Sequence, residues 1–494
     1  MTPVTTLAGC EVAVFGLGGS GLATAEALRA GGASVHVWDD GEAARAKAQA
    51  AGFVLRDLVT VGLAGFKALI LSPGVPLTHP APHPVVKQAQ ADAVEIIGDI
   101  ELFCRERARL APNAPFVAIT GTNGKSTTTA LIAHLLRHAG RHVAMGGNIG
   151  TAILSLPPPS DDCVHVVECS SFQIDLTPSL APSIGVLTNI TPDHLDRHGS
   201  MDAYAGIKER LVAQSALAVI GQDDAWCRAI TARLRTAGRS VIGLTMQADD
   251  SLRPEDGNAI WRQGYDLCVR DQAGHMHTYA LDGLATLRGV HNAQNAAAAI
   301  ACAEALGVSQ HDIIEGLKRF PGLAHRMEVL GRIGPVLIVN DSKATNADSA
   351  EKALASYPRD IYWIIGGVAK EGGIASLAPY FDRLAHVYLI GKAAALFKSQ
   401  LPATVRVTDS GTLEQAFADS LADAVADVGS GAVHHPVMLL SPACASYDQF
   451  PNFEVRGARL RALAEADKDF VPFTQSASAI NDKTRHEDPH GIAH

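Results

Sequence analysis

Phe116-Val117-Ala118-Ile119-Thr120-Gly121-Thr122-Asn123-Gly124-Lys125-Ser126-Thr127 is the stretch on which the fold of this chain turns. Its apolar start predicts a buried strand over Phe116–Thr120, its glycines a sharp turn, and the residues that follow a helix. Strand, glycine turn and helix in that order are the context of a phosphate loop. Backbone N–H groups curl around phosphate oxygens there, and the helix start adds partial positive charge. Lys125 is in reach of the β- and γ-phosphates of a nucleotide, and the Ser126 hydroxyl is a ligand for Mg²⁺. The spacing departs from the usual GxxxxGK[ST], because Ile119 stands where the first glycine would be. The competing reading is a glycine-rich turn carrying a surface lysine.

Working outward, the same alternation recurs on both sides. Upstream come a strand at 11–15, the turn Gly16-Leu17-Gly18-Gly19-Ser20-Gly21, a helical run at 22–29, and a strand at 34–38 ending in Asp39 and Asp40. A short apolar run at 68–71 ends in Ser72-Pro73-Gly74, and 94–97 with the helix after it closes the unit. Residues 105–115 read as a linker. The GxGxxG turn with Asp39 fits NAD, another diphosphate-bearing nucleotide, or close helix–strand packing, and these three stay open on the residues alone. Downstream, strands are predicted at 164–167, 184–187 and 216–220, a small antiparallel excursion at 251–288, and a helix at 296–306. A boundary near 316–323 precedes a third alternation with strands at 336–339, 361–365, 386–390 and 437–440. The expected architecture is α/β in three domains: 1–105 and 323–474 Rossmann-like, and 106–322 a phosphate-loop ATPase-type domain with a mostly parallel sheet. The polar residues 475–494 read as a disordered tail.

Length and composition agree. At 494 residues, and about 150 residues per domain, three domains are expected. A formal net charge of −10 argues against broad binding to nucleic acid or acidic membranes. The eight cysteines form no CxxC pair, which fits reduced core thiols in a cytoplasmic protein. Neither a signal peptide nor a membrane span is expected, since no run of about 18 apolar residues occurs.

Two further stretches carry chemistry. Glu168 ends the apolar run 164–167 and precedes Cys169-Ser170-Ser171-Phe172-Gln173. A carboxylate at a strand end beside a phosphate loop is an expected metal ligand, a charge at a helix start being the alternative. The polar run Thr188-Asn189-Ile190-Thr191-Pro192-Asp193-His194-Leu195-Asp196-Arg197-His198 follows another strand and so falls on the same sheet edge. There His194 is a candidate Mg²⁺ ligand or substrate contact. Lys208 on its own reads as a solvated helix lysine.

Taken together, these residues resemble the Mur ligase family, which builds the peptide stem of bacterial peptidoglycan. The resemblance covers roughly residues 10 to 465. Besides 120–127 it rests on Gly147-Asn148-Ile149-Gly150, on His291-Asn292-Ala293-Gln294-Asn295, and on Leu323-Ala324-His325-Arg326, where Ala324 replaces a proline. In the third domain it rests on Asn340-Asp341-Ser342-Lys343-Ala344-Thr345-Asn346 and on 440–450, Leu-Ser-Pro-Ala-Cys-Ala-Ser-Tyr-Asp-Gln-Phe. The last two, with Ser170-Ser171-Phe172-Gln173, favour the member that adds D-glutamate to UDP-N-acetylmuramoyl-L-alanine; a monomer is expected, although no motif speaks to it.

The resemblance implies ATP as co-substrate and Mg²⁺ as cofactor. ATP would be bound by Gly121, Thr122, Asn123, Gly124, Lys125, Ser126, Thr127, Asn295, Arg326 and Asp341. Gly18, Ser20, Gly21, Asp39, Ser72, Gly74, Asn148 and His194 would hold the UDP-substrate, which sets NAD aside. Lys343, Thr345, Lys370, Ser446 and Phe453 would hold glutamate, with domain closure bringing the ligands together. Lys125, Glu168, His194 and Lys208 would be catalytic, and Ser126, Glu168, His194 and a carbamylated Lys208 would meet the metal. An ammonium repels Mg²⁺, whereas a carbamate offers anionic oxygen. The rivals are an L-glutamate-adding relative and a non-catalytic UDP-sugar sensor.

Overall fold

The computed structural model describes residues 1–247, 258–369 and 372–473. Lys370, the tail 475–494 and the first residues of the expected antiparallel excursion lie outside them. The chain divides into two compact units, Met1–Leu323 and Ala324–His494.

The first unit holds two sheets. Strands β1 (Glu11–Phe15), β2 (Ser34–Trp38), β3 (Val54–Leu55), β4 (Ala68–Leu71) and β5 (Glu95–Ile97) form an all-parallel sheet in the order β3-β2-β1-β4-β5. The second sheet runs β14-β13-β12-β11-β10-β9-β6-β8-β7. Its strands are β6 (Phe116–Thr120), β7 (His142–Gly147), β8 (Cys163–Glu168), β9 (Ile184–Leu187), β10 (Leu217–Gly221), β11 (Val241–Thr245), β12 (Ala259–Gln263), β13 (Asp266–Arg270) and β14 (Met276–Ala280). All pairs are parallel except the antiparallel β12-β13-β14, the excursion expected from the polar, irregular sequence there. Both β6 and β9 are buried along their whole length, as strands covered on two faces must be. The helix Lys125–His138 packs on one face against Val290–Ala305, whose run of buried alanines permits close approach.

The two sheets of this unit are joined through the helix Asp99–Leu110, which corrects the linker expected at 105–115. Arg105 bonds Glu101 one turn back at 2.8 Å, and buried Glu106 accepts from Thr5 and Thr6, so helix continues through 110. The helix is apolar on its inner side: Phe103 meets Phe116 and His165 edge-on or tilted, with ring centres 5.4 and 5.0 Å away. Glu101 also accepts from the Ser179 N–H and hydroxyl, both at 2.9 Å. A segment this well bonded and buried cannot act as a free tether.

The second unit is built on β15 (Glu328–Ile333), β16 (Val336–Asn340), β17 (Ile361–Gly366), β18 (Val368–Ala369), β19 (Leu384–Ile390), β20 (Val407–Gly411), β21 (Val437–Leu440), β22 (Cys444–Ala445) and β23 (Phe470–Pro472). Its main sheet is β20-β19-β17-β21-β16-β15-β23, with β18-β22 apart. The first five strands are parallel and match the expected Rossmann-like pattern. The antiparallel edge β15-β23 was not expected, because its short strands show no long apolar run. Among the described residues no helix is long and apolar enough to cross a membrane.

Candidate active site

In the second sheet β6 lies between β9 and β8. The loops leaving the carboxyl ends of these three strands are therefore neighbours, where ligands bind in open parallel sheets. The strand order alone thus brings together the phosphate loop, Glu168 and the run 188–198.

The loop after β6 is locked from below. Gly121 has φ 146° and Gly124 φ 83°, and added Cβ atoms would collide with the side chains of Thr188 and Asn295. The Thr188 hydroxyl donates to the Asn123 carbonyl at 2.6 Å, and Asn189 accepts from the Asn123 N–H at 2.9 Å. Asn295 accepts from the Thr128 hydroxyl at 3.1 Å. Lys125 folds over the loop, its Nζ donating to the carbonyls of Gly121 and Thr122 at 2.8 and 2.9 Å. Ser126 and Thr127 begin the helix and are nearly buried.

Glu168 stands at the end of β8, buried. Its Oε1 accepts from Asn148 at 2.7 Å, while Oε2 has no hydrogen-bond partner among the described residues. A buried carboxylate oxygen without a partner is costly unless something cationic meets it. That orphan, with the Ser126 hydroxyl, is a donor set that fits a hard divalent cation. Among the described residues no three His, Cys, Asp or Glu side chains form a ready-made cage. Asn148, expected on the UDP-substrate, here orients Glu168.

Lys208 reverses the solvated reading its sequence position suggested: it is 1% exposed. Its Nζ donates to the Gly121 carbonyl at 2.9 Å and Thr120 Oγ1 at 3.3 Å, and lies 4.7 Å from the Tyr204 ring centre. Burial, then the charge of Lys125, pushes its amine down to about 7. Both lysines thus bond the Gly121 carbonyl. The local pattern of the helix Met201–Ala213 did not show this; tertiary packing did.

His194 sits in the left-handed region at φ 53°, starts the single turn Leu195–His198 and is half exposed. Its ring lies 5.1 Å from Phe172 and 3.4 Å from Asp193. His198, which the sequence did not single out, is buried, bonds the Ser171 hydroxyl at 2.9 Å and stacks on Phe172.

In the first sheet the glycine loop leads from β1 into the helix Gly19–Ala30. Asp39 braces it, accepting from Leu17 N–H at 2.6 Å and Gly41 N–H at 2.7 Å. Gly18 has open space around it, whereas a Cβ at Gly21 would run into the Gly16 carbonyl. A small cleft is lined by Ser20, Gly21, Ser72, Pro73 and buried Asp99, whose carboxyl burial holds above the usual range.

In the second unit Arg326 lies between two residues with positive φ, His325 at 63° and Met327 at 47°. Its Nε is buried without a hydrogen-bond partner among the described residues. Asp341 accepts from Ser441 Oγ at 2.8 Å and Met327 N–H at 3.1 Å, and burial raises its carboxyl to about 7. Lys343 lies 5.0 Å from the Phe453 ring centre, and its N–H donates to the His325 carbonyl. Thr345 N–H bonds the Lys343 carbonyl at 2.9 Å, and Ser446 is buried two residues beyond Cys444. Arg456, which the sequence reading missed, is buried and ties these segments: it bonds Ser342 Oγ, the Ser342 carbonyl and the Cys444 carbonyl at 2.9, 2.8 and 3.1 Å.

A phosphate loop flanked by a strand-end glutamate and a buried lysine, on this succession of sheets, defines an ATP-using ligase fold, and the chain belongs to the Mur ligase family. Three family profiles match it: the Mur ligase MurD-like N-terminal domain over residues 10–98, the Mur ligase middle domain over 119–303, and the Mur ligase glutamate ligase domain over 325–444. Proteins named UDP-N-acetylmuramoylalanine–D-glutamate ligase are similar along nearly their whole length. That of Brucella abortus is 54% identical over 96% of this chain and 99% of its own. Those of Mesorhizobium japonicum (55%, 94% and 98%) and Nitrobacter winogradskyi (56%, 96% and 100%) are alike. Among solved structures, UDP-N-acetylmuramate-alanine ligase MurC of Thermotoga maritima aligns over 92% of this chain and 99% of its own, with TM-score 0.55 and 17% identity. A UDP-N-acetylmuramoyl-L-alanyl-D-glutamate–2,6-diaminopimelate ligase aligns over 82% and 93%, with TM-score 0.52 and 18% identity. At such identity these structures bear on the fold.

Proposed function

We propose that this chain joins D-glutamate to UDP-N-acetylmuramoyl-L-alanine at the expense of ATP, releasing ADP and phosphate in peptidoglycan precursor synthesis. The observation that carries the reading is the shared edge of β9, β6 and β8, where two lysines bond one loop carbonyl beside a buried, half-satisfied glutamate. The relatives' common name supplies the substrates.

A carboxylate is a poor electrophile. An oxygen of the alanyl carboxylate attacks the γ-phosphorus of ATP, the bond to the β–γ bridging oxygen breaks, and ADP leaves. The neutral amine of glutamate then attacks the acyl phosphate carbon. The tetrahedral adduct expels phosphate, and the amine loses its proton. Lys125 would neutralise charge on the transferring phosphoryl group, and the backbone N–H groups of 121–127 would hold it in line. Mg²⁺ would be held by Ser126, Glu168, His194 and carbamylated Lys208, and would supply charge neutralisation there. An amine near 7 is substantially neutral at neutral pH, the form that adds CO₂ to give a carbamate. Gly18, Ser20, Gly21, Asp39, Ser72 and Gly74 would hold the uridine diphosphate. Arg326, Asp341 and Asn295 would contact the nucleotide, and Lys343, Thr345, Ser446, Phe453 and Lys370 the glutamate. We take the working domains as 1–105, 106–322 and 323–474, and the protein as a cytoplasmic monomer.

The test is phosphate release from ATP and Mg²⁺ with UDP-N-acetylmuramoyl-L-alanine, comparing D-glutamate, L-glutamate and no amino acid. Release only with D-glutamate is expected. Release only with L-glutamate would change the product, and none at all from folded protein would remove the ligase reading.

A further inference from the structure

Arg197 has no part in the chemistry above, yet it lies where three segments meet. It belongs to the single turn Leu195–His198 that His194 begins. Its guanidinium donates to the carbonyls of Gly74 and Val75, both at 3.1 Å, and Pro73 at 3.5 Å, in the loop after β4 of the other sheet. Its carbon sits 4.7 Å from the centre of the Phe172 ring. Phe172 also carries His194 at 5.1 Å and, stacked, His198 at 5.0 Å. One aromatic ring, four residues after Glu168, is therefore a common seat for the histidine loop and for the arginine that grips residues 73–75.

Only a guanidinium suits this position. Its planar fork offers five donors that can serve several carbonyls at once while its face lies on an aromatic ring. A lysine ammonium has three donors but no flat face. The grip also orients the peptides it holds. A trans peptide whose carbonyl faces the arginine turns its N–H to the opposite side. The peptide between Pro73 and Gly74 thus sends the Gly74 N–H away from Arg197. This loop packs on the glycine turn: Ser72 N–H bonds the Phe15 carbonyl at 2.9 Å, and Ser72 and Pro73 line the cleft with Ser20 and Gly21.

We infer that Arg197 is a positioning residue for the UDP-substrate. It fixes the loop 72–75, with the Gly74 N–H presented to a diphosphate oxygen, at a set distance from His194 and Glu168. The nucleotide-sugar's diphosphate is then held at one end while its carboxylate is delivered to the phosphate loop at the other. Arg197 acts through the backbone and touches no ligand itself. This inference rests on the ligase reading given above, and the test separates the two.

In the full-length protein, Arg197→Met and Arg197→Lys are compared with wild type. Amide hydrogen exchange reads the grip without needing turnover. Exchange over residues 72–78 rises in Arg197→Met, while exchange over 121–128 stays at the wild-type rate. Unchanged exchange over 72–78 overturns the grip, whatever the activity of the wild type. Steady-state kinetics read its purpose. KM for UDP-N-acetylmuramoyl-L-alanine rises about tenfold, the size of one lost charge-assisted hydrogen bond. KM for ATP stays within about twofold, because the carbonyls that Arg197 holds belong to the loop 73–75 and not to the phosphate loop. Arg197→Lys falls between, and serves alone if the methionine variant does not fold. A KM for the UDP-substrate that does not move, or that rises in step with that for ATP, overturns the positioning role. Wild-type protein that releases no phosphate with any glutamate would instead remove the ligase reading.

Discussion

The two glycine loops of the first unit make the same turn and are dressed differently. Each connects the carboxyl end of a parallel strand to a helix. The loop at 16–21 carries no charged side chain, and a carboxylate, Asp39, braces it from below. The loop at 121–127 is crossed by two lysines, both bonded to the Gly121 carbonyl, and is clasped by Thr188, Asn189 and Asn295. Holding a diphosphate that does not react asks only for backbone N–H groups and a helix start. Transferring a phosphoryl group asks for concentrated positive charge on a scaffold that does not reorganise. The lesson is that the motif shared by both loops identifies an anion site, and that what surrounds it decides between grip and chemistry.

The largest expected effect breaks the comparison at the second loop. Lys125→Ala removes the loop's own cation, and kcat falls on the order of a hundred- to a thousandfold. Binding of UDP-N-acetylmuramoyl-L-alanine, followed by calorimetry, stays near wild type. Loss of both together would mean that the loops share one duty.

Next comes Asn148→Ala, which frees the Glu168 carboxylate. Partners that orient metal-binding groups are worth about ten- to a hundredfold. The Mg²⁺ concentration giving half-maximal rate should rise by that order, and an unchanged Mg²⁺ dependence would sever Glu168 from the metal.

Lys208 sharpens the contrast through pH. Its amine falls to about 7 from an ordinary 10.5. Protein stripped of CO₂ should be reactivated by bicarbonate and, at a fixed concentration of dissolved CO₂, faster as pH rises through about 7, because only the neutral amine adds CO₂. Intact mass should show the carbamate under the same conditions. Reactivation indifferent to bicarbonate would remove it. The same shift has a sign for stability. Between about 7 and 10.5 the unfolded chain holds this proton more tightly, so the unmodified fold gains stability as pH rises through that window.

The smallest effect belongs to the first loop. Gly18 has negative φ and open space around it, so Gly18→Ala should shift the unfolding midpoint little and raise only KM for the UDP-substrate. Gly21→Ala, whose Cβ meets the Gly16 carbonyl, should by contrast destabilise the first sheet. If the two behave alike, close backbone approach does not explain this loop.

Much of this was legible in the sequence because it is local. Runs such as 116–120 and 184–187 are buried on both faces and read as strands without help, and positive-φ glycines, Gly121 and Gly124, mark the turn after the first of them. Glu168 and the 188–198 run could be placed on one edge from the alternation alone. Lys208 could not, because its burial depends on Tyr204 and Thr120 closing over it. Arg197 and Arg456 escaped notice for a related reason. Each works by bonding backbone carbonyls far along the chain, and a carbonyl leaves no mark in the sequence. The antiparallel edge β15-β23 pairs strands over a hundred residues apart and carries no periodic signal long enough to read.

The most direct test follows an oxygen atom. UDP-N-acetylmuramoyl-L-alanine labelled with heavy oxygen in its alanyl carboxylate is turned over with ATP, Mg²⁺ and D-glutamate, and the released phosphate is weighed. Transfer of a carboxylate oxygen to phosphorus at the β6 loop predicts that the label appears in the phosphate. Unlabelled phosphate, formed at the same rate as product, would contradict the account.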